Sequence, residues 1–290
     1  MRRHWVAALA LAAAAGFAAE PALAQKQGGT LRVYHRDSPA SMSIHEEATW
    51  STIMPMMGVF NNLVLYDQHI MQNTLATIRP ELATSWNWNE DGTELTFKLR
   101  RDVKWHDGKP FTAADVKCTW DMLLGRGKEK LRLNPRETWY LNLSEIVTNG
   151  EDEATFRMKR PQPAFLALLA SGDSPVYPCH VSPRDMRNYP IGTGPFKFID
   201  YKPNQSLKVE RNPNYWKPGL PYLDAIEYTI VPNRSTAVRL YRRHLRHDLP
   251  ARDHRAVAEG HPQPGTASDL RDRAAQRQCH RRGQSETALR

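Results

Sequence analysis

Apolar and polar residues alternate in short runs along most of this chain, and Asp-Gly, Asn-Gly and proline signals separate the runs. After Gly28-Gly29, Leu31, Val33 and His35 share one side of a short alternating stretch, which predicts a strand. In "WSTIMPMMGVFNNLVLYD" the spacing of Ile53, Met57, Phe60 and Leu63 predicts one face of a helix, against the interruptions of Pro55 and Gly58, with the methionines read as core filler. "SWNWNEDGTELTFKLR" places Asp91-Gly92 between two alternating runs, the second with Leu95, Phe97 and Leu99 on one side, and so predicts a hairpin. "VKWHDGKPFT" adds a short strand and a second Asp-Gly turn at Asp107-Gly108.

Helix signals follow. Thr112, with Asp115 three residues later, forms a capping-box pattern ahead of Val116, Trp120 and Leu123, and Gly125 is the expected stop. Ile146 and Val147 before "NGED", with Phe156 and Met158 after it, predict a second hairpin. "PQPAFLALLAS" reads as a short buried helix, and "HVSPRDM" starts another, with Ser182 as N-cap and Pro183 at the first helical position. Strands return with Leu207 and Val209, and again with Ile226, Tyr228 and Ile230, before "RSTAV" gives one helical turn that does not develop. Hairpins and scattered helices without an internal repeat predict an α/β chain with one segment inserted into another.

Charge and composition change this picture at both ends. "MRRHWVAALALAAAAGFAAEPALAQ" has a basic start, an apolar run too short to span a membrane and the small-x-small pattern Ala22-Leu23-Ala24, the marks of a secretory signal peptide cut after Ala24. The formal charge of +9 points at first to a polyanionic partner. Divided along the chain, it falls mainly on residues 239–290, which hold twelve Arg, five His and no Lys for a net +6, against a net +2 for residues 25–238. Cys118 and Cys179 are available to pair in an oxidising compartment, which leaves Cys279 over; spacing alone does not say whether the first two meet.

Enzyme chemistry has little support. There is no G-x-S-x-G elbow, H-E-x-x-H pair or Walker loop. "GTGP" at Gly192 to Pro195 reads as a structural turn, since Pro195 removes a donor and no helix pattern follows. None of the sets His35 with His45, Cys179 with His180, or His244, His247 and His254 has zinc-site spacing, so no metal or cofactor is expected. His106-Asp107 sits in a tight turn with an ordinary conformational explanation. Trp86, Trp88, Trp105, Trp120, Trp139, Trp216 and Trp50 are read mostly as core, although aromatics also stack on ligands.

The stretch "PELATSWNWNEDGTELTFKLRRDVKWHDGKPFTAADVKCTWDMLL", followed by "PIGTGPFKF", "VERNPNYWKPGLPYLDAIEYTIV" and "NRSTA", resembles the family 5 solute-binding proteins of bacterial ABC importers, the dipeptide, oligopeptide and nickel group. The likeness runs from about Gly29 to Val238. It implies a class II periplasmic binding protein-like α/β fold, bilobal with an extra subdomain, of which only the first lobe and the subdomain are present. Lobe I would comprise residues 25–47 and 190–238, with the subdomain at 48–189. It implies no catalysis and no cofactor, but capture of a peptide-like solute between lobes and delivery to a membrane permease with its ATPase subunits. The protein would act as a monomer in the periplasm, with no nucleic acid involved. The end of the first strand, Tyr34, His35 and Arg36, is carried over as ligand-binding, and the carboxylate that would receive a peptide amino terminus is not located.

After "NRSTAV" this chain departs from the family. Residues 239–290 contain no Ile, Phe or Trp and cannot bury much apolar surface. A basic arm for anionic lipid or nucleic acid, a disordered tail and a shifted reading frame all account for the composition. The frame shift is favoured, because out-of-frame GC-rich DNA encodes Arg, Ala, Pro, Gly and His in quantity. On that reading the chain binds solute weakly or not at all; the alternative function is a secreted interaction protein with a polyanion-binding tail.

Overall fold

The computed structural model describes residues 27–240, so the leader, Cys279, His244, His247, His254 and nearly all of the Arg-rich segment lie outside the described residues. The chain divides into two compact units at Ala237/Val238, and the architecture below is that of the first.

One four-stranded sheet has the order β1-β10-β9-β8, built from β1 (Thr30–His35), β8 (Phe196–Lys202), β9 (Ser206–Arg211) and β10 (Ala225–Ile230). β1 lies parallel to β10, with Thr30 opposite Ala225 and His35 opposite Ile230, while β10-β9 and β9-β8 are antiparallel. Alternation along β9 turns Leu207 and Val209 inward, as their spacing predicts. They pack in a core with Met42, Ile44, Phe60, Tyr177, Phe196 and Tyr228, to which α1 (Trp50–Met56) contributes Ile53 and Met56.

A second four-stranded sheet is fully antiparallel, β4-β5-β7-β6, from β4 (Ala83–Trp88), β5 (Glu94–Leu99), β6 (Leu143–Thr148) and β7 (Glu153–Met158). Its two hairpins turn at Gly92 (φ 64) and Gly150 (φ 67), left-handed positions where glycine carries no Cβ penalty. Leu95, Phe97 and Leu99 are buried on one side of β5, facing Phe156 and Met158 of β7. Helix α2 (Ala113–Leu123) covers this sheet, with Val116, Trp120 and Leu123 inward, and the Trp120 indole meets Phe156 edge-on at 4.9 Å. The helix begins where expected: the Thr112 N–H donates to Asp115 Oδ2 at 3.0 Å, and Gly125 at φ 67 follows its end. The short helix α3 (Phe165–Leu169) buries Phe165, Leu166 and Leu169 in the same core. The first turn of α4 (Pro183–Asn188) is capped by Ser182 Oγ, which accepts from the Asp185 N–H at 3.1 Å.

Cys118 of α2 and Cys179 form a disulfide, Cα–Cα 5.7 Å, which answers the pairing that spacing alone left open. It ties α2 to the segment that carries Tyr177 into the other core.

Three expectations need correction. The helix predicted to run through Phe60 and Leu63 ends at Met56. Phe60 and Leu63 are buried as their spacing demanded, but beyond Met57 the backbone turns outward to pair, with Gly58 and Val59 carbonyls accepting from the N–H groups of Phe196 (3.0 Å) and Gly194 (2.9 Å). The strand expected at Val103–Trp105 is reduced to an isolated bridge between Lys104 and Pro110, because the Asp107-Gly108 turn closes it immediately. The turn expected at "RSTAV" instead continues as helix over residues 234–240. The hairpin of β2 (Val64–Tyr66) and β3 (Ile78–Pro80) was not foreseen: each strand is three residues long, too short for a period to register.

Candidate functional site

The carboxyl ends of the parallel pair β1 and β10 define the first candidate surface, since ligands of open α/β sheets collect beyond such ends. Tyr34 is half-buried, His35 is buried and Arg36 is exposed, so the three carried-over residues do not present equally. His35 is spent on structure. Its Nε2–H donates to the Ser51 carbonyl at 3.0 Å, its own carbonyl accepts from the Val231 N–H at 2.7 Å, and its ring meets Tyr228 edge-on at 6.0 Å. The bond to Ser51 brings the start of α1, and with it Trp50, 68 % exposed, to the end of β1. On the far side the strand exit is pinned by Tyr201, whose hydroxyl donates to the Pro39 carbonyl at 2.5 Å and contacts Ser38 Oγ at 2.5 Å. Arg36 itself forms no ion pair among the described residues, while Asp37 turns its carboxylate onto the Ser38 N–H at 3.0 Å.

A cleft of about 190 Å3, open to solvent, lies elsewhere, between Phe60, Asn61, Leu65, Glu81, Tyr215 and Lys217. Its polar groups are almost entirely satisfied by one another. Glu81, 3 % exposed, accepts from Asn61 Nδ2 at 2.6 Å on one oxygen and from Lys217 Nζ at 2.5 Å on the other. Asn61 Oδ1 accepts from Thr193 Oγ1 (3.1 Å) and Trp216 Nε1 (3.3 Å), and the Arg100 guanidinium stacks over the Trp216 ring at 4.4 Å. Burial, reinforced by the Glu81 carboxylate, holds the Tyr215 hydroxyl far above its usual range, so it stays protonated, and its oxygen accepts from Asn61 Nδ2 at 3.4 Å. A buried carboxylate fixed by a cation and an amide is a strut joining two segments, and no nucleophile stands beside a base here. The sequence offered no signal for this cluster, because Glu81 and Lys217 are 136 residues apart.

A second strut holds residues 41–47. Glu46, fully buried, accepts from Arg187 Nη1 at 2.8 Å and from the Arg132 N–H at 2.6 Å, and buried Arg136 donates to the Ile44 carbonyl at 2.7 Å and to Asp173 at 2.5 Å. Between them His45 donates from Nε2 to the Pro175 carbonyl at 2.8 Å. Burial pushes its pKa down to about 3, with the Pro175 carbonyl opposing and the Arg136 charge assisting.

His106 has a structural role. Its Nδ1 accepts from the Gly192 N–H at 3.2 Å and its Nε2–H donates to the Gly194 carbonyl at 3.0 Å, so the ring clamps the "GTG" turn. Burial lowers its pKa to about 4, against the pull of the Gly194 carbonyl and with help from Lys197. The turn has no room for a phosphate or for side chains: a Cβ on Gly192 would lie 1.9 Å from the Val59 carbonyl oxygen. No cluster of three metal-ligating side chains occurs among the described residues, and the His35 and His45 rings, like Cys179, are engaged as described above. Of the tryptophans, Trp105 and Trp120 are buried, Trp86, Trp88, Trp139 and Trp216 are partly buried against the core, and Trp50 stands out in solvent.

Comparison with known proteins fits these observations. The glutathione-binding protein GsiB of Escherichia coli K12 is 30 % identical over 158 residues, covering 53 % of this chain and 30 % of GsiB. The structure of AgaA from A. tumefaciens R10, in complex with agropinic acid, superposes with a TM-score of 0.66 at 28 % identity, over 74 % of this chain and 42 % of AgaA. That of the oligopeptide-binding protein AppA from Bacillus subtilis, in complex with a nonapeptide, gives 0.66 at 26 % identity, over 76 % of this chain and 43 % of AppA. The chain thus spans well under half the length of each of these proteins, and the expected periplasmic binding protein-like α/β fold is present over about three quarters of it. The family described as bacterial extracellular solute-binding proteins, family 5 Middle, matches residues 77–249, more than half of the chain and some way past Val238. Its members are the binding components of ABC transporters and not enzymes, and the chain belongs to this family of extracellular solute-binding proteins.

Proposed function

We propose that this chain supplies one side of the solute cleft of a periplasmic ABC-importer subunit that captures a peptide-like solute and delivers it to a membrane permease driven by ATPase subunits. The observation that carries the reading is the family match, set beside a pinned strand end with an unpaired cation and an exposed indole. The names of GsiB and AppA favour peptides over other solutes, and AgaA shows that the fold also takes a non-peptide acid.

In this reading residues 1–24 are a leader cleaved near Ala24, the β1-β10-β9-β8 sheet is the core of lobe I, and the β4-β5-β7-β6 sheet with α2 is the inserted subdomain. The segment 239–290 is a non-native, Arg-rich tail from a shifted frame, and the protein is monomeric. Closure of a binding protein stabilises the bound state through contacts from both walls. One wall alone holds solute weakly, in about the millimolar range. Calorimetry of the 290-residue chain against mixed di- to pentapeptides tests this, and a tight, peptide-specific heat would sink the one-wall reading. Resequencing codons 230 to 250 tests the frame. If no other frame continues as family sequence and removal of residues 239–290 abolishes a salt-sensitive affinity for anionic vesicles, the tail is a functional arm.

A further inference from the structure

We infer that Asn149 is a spontaneous modification site: it converts, through a cyclic imide formed with the Gly150 nitrogen, to aspartate and isoaspartate in the folded chain, with water as the co-reactant. Asn149-Gly150 is the one Asn-Gly pair in the sequence, and it lies exposed in the turn between β6 and β7. Ring closure requires a backbone nitrogen that is not committed to a hydrogen bond and a following residue with no side chain in the way. Gly150 meets both conditions: it has no Cβ, and its N–H makes no hydrogen bond among the described residues. The two Asp-Gly turns lack this freedom. The Gly92 N–H donates to the Asn89 carbonyl at 3.1 Å and the Gly108 N–H to the Trp105 carbonyl at 2.8 Å, so the nitrogens that would attack Asp91 and Asp107 are held by their own turns.

The step balances without oxidant or reductant. Hydroxide removes the Gly150 amide proton, the nitrogen attacks Asn149 Cγ, and the Cγ–Nδ2 bond breaks as ammonia leaves with a proton returned by water. Water then opens the imide: cleavage of the new N–Cγ bond gives aspartate, and cleavage of the bond from nitrogen to the Asn149 backbone carbonyl carbon gives isoaspartate. The Asn149 amide is kept within the turn by Glu153 Oε1, which accepts from its Nδ2 at 3.1 Å, and a confined side chain has fewer conformers to search before attack. Of the three acidic neighbours, Asp152 is paired with Arg101 and Glu153 with Lys98, which reduces the negative field opposing loss of the Gly150 proton. The products act differently on the fold. This turn closes with the Asn149 N–H on the Glu153 carbonyl at 3.1 Å, and its Glu151 and Asp152 carbonyls accept from the N–H groups of Ala113 (2.7 Å), the first residue of α2, and Leu99 (2.8 Å), the last of β5. Isoaspartate routes the backbone through an added methylene and draws these carbonyls out of register, whereas aspartate keeps the backbone and changes only the charge.

The test is incubation of the purified 290-residue chain in mildly alkaline buffer, folded and in urea, followed by peptide mapping that separates aspartate from isoaspartate at every asparagine. In the folded chain both products are expected at position 149 before any other asparagine reacts. Asn149→Gln, whose longer side chain closes a less favourable ring while leaving Gly150 in place, should lose the conversion. The isoaspartyl fraction, separated by ion exchange, should show faster hydrogen exchange at the Ala113 and Leu99 amides, and Asn149→Asp, which carries the charge alone, should not. Conversion in urea but not in the folded chain would show that the turn shields Asn149 and overturns the site. Earlier reaction at another asparagine, or aspartate without isoaspartate, overturns it as well. Unchanged exchange at Ala113 and Leu99 in the isoaspartyl fraction refutes the effect on the fold.

Discussion

Lowering the pH from 7 to 5 should destabilise the fold through two histidines that have no catalytic task. His45 and His106 keep native pKa values of about 3 and about 4 because both rings are buried. The hydrogen bonds say the same independently: His106 Nδ1 accepts from the Gly192 N–H, so a proton on that nitrogen would point at another proton. In the unfolded chain both titrate near the ordinary 6.5. The native state therefore refuses a proton that the unfolded state takes, and stability present above 6.5 is lost as the pH falls below it. Because both native values lie below 5, the loss down to that pH is set by the unfolded value alone, about 2 kcal/mol for each ring and about 4 kcal/mol together. That is a large part of the roughly 5–15 kcal/mol that holds an ordinary domain folded.

Urea unfolding followed by tryptophan fluorescence at pH 7 and pH 5 measures the change. His45→Gln and His106→Asn should each flatten the pH slope by about 2 kcal/mol, whatever they do to absolute stability. If the wild-type free energy is the same at both pH values, or if the double variant keeps the full slope, the two rings are not the buried neutral groups described here.

Two further outcomes follow from local geometry. The Cys118–Cys179 bond closes a loop with a sequence separation of 61 residues, so Cys118→Ser with Cys179→Ser should cost about 4 kcal/mol by loop entropy, read as a lower urea midpoint; an unchanged midpoint refutes this. Gly192→Ala would drive a methyl into the Val59 carbonyl and should cost about 4 kcal/mol or more, whereas Gly108→Ala, in open space at φ 90, should cost only about 1–2 kcal/mol. Similar thermal stability of the two variants would show that the Gly192 turn is not packed as described.

Elements whose signals lie within a few residues were legible in the sequence. The turns at Asp91-Gly92 and Asn149-Gly150, the Thr112/Asp115 cap and Pro183 at a helix start each depend on local backbone chemistry, and each stands where it was expected. Features settled by distant partners were not. The end of α1 is decided by the N–H groups of Gly194 and Phe196, and no pattern around Met57 announces them. Periodicity correctly buried Phe60 and Leu63 yet assigned the wrong backbone, since a tight turn over a core buries the same positions as a helix. At the candidate site the sequence supplied Tyr34, His35 and Arg36 as one stretch, but not that His35 is buried and consumed in holding the Ser51 carbonyl.

The supports around this strand end also constrain how it can discriminate among solutes. Glu46 is held by Arg187 and Arg132, and the Ile44 carbonyl by Arg136. Breaking any one of these struts would leave a buried charge unpaired, at a cost of about 3–5 kcal/mol. A millimolar solute contributes about 4 kcal/mol in all, too little to shift such a wall appreciably. On the proposed reading, selectivity on this side then comes from side chains that already stand in solvent rather than from rearrangement of these struts.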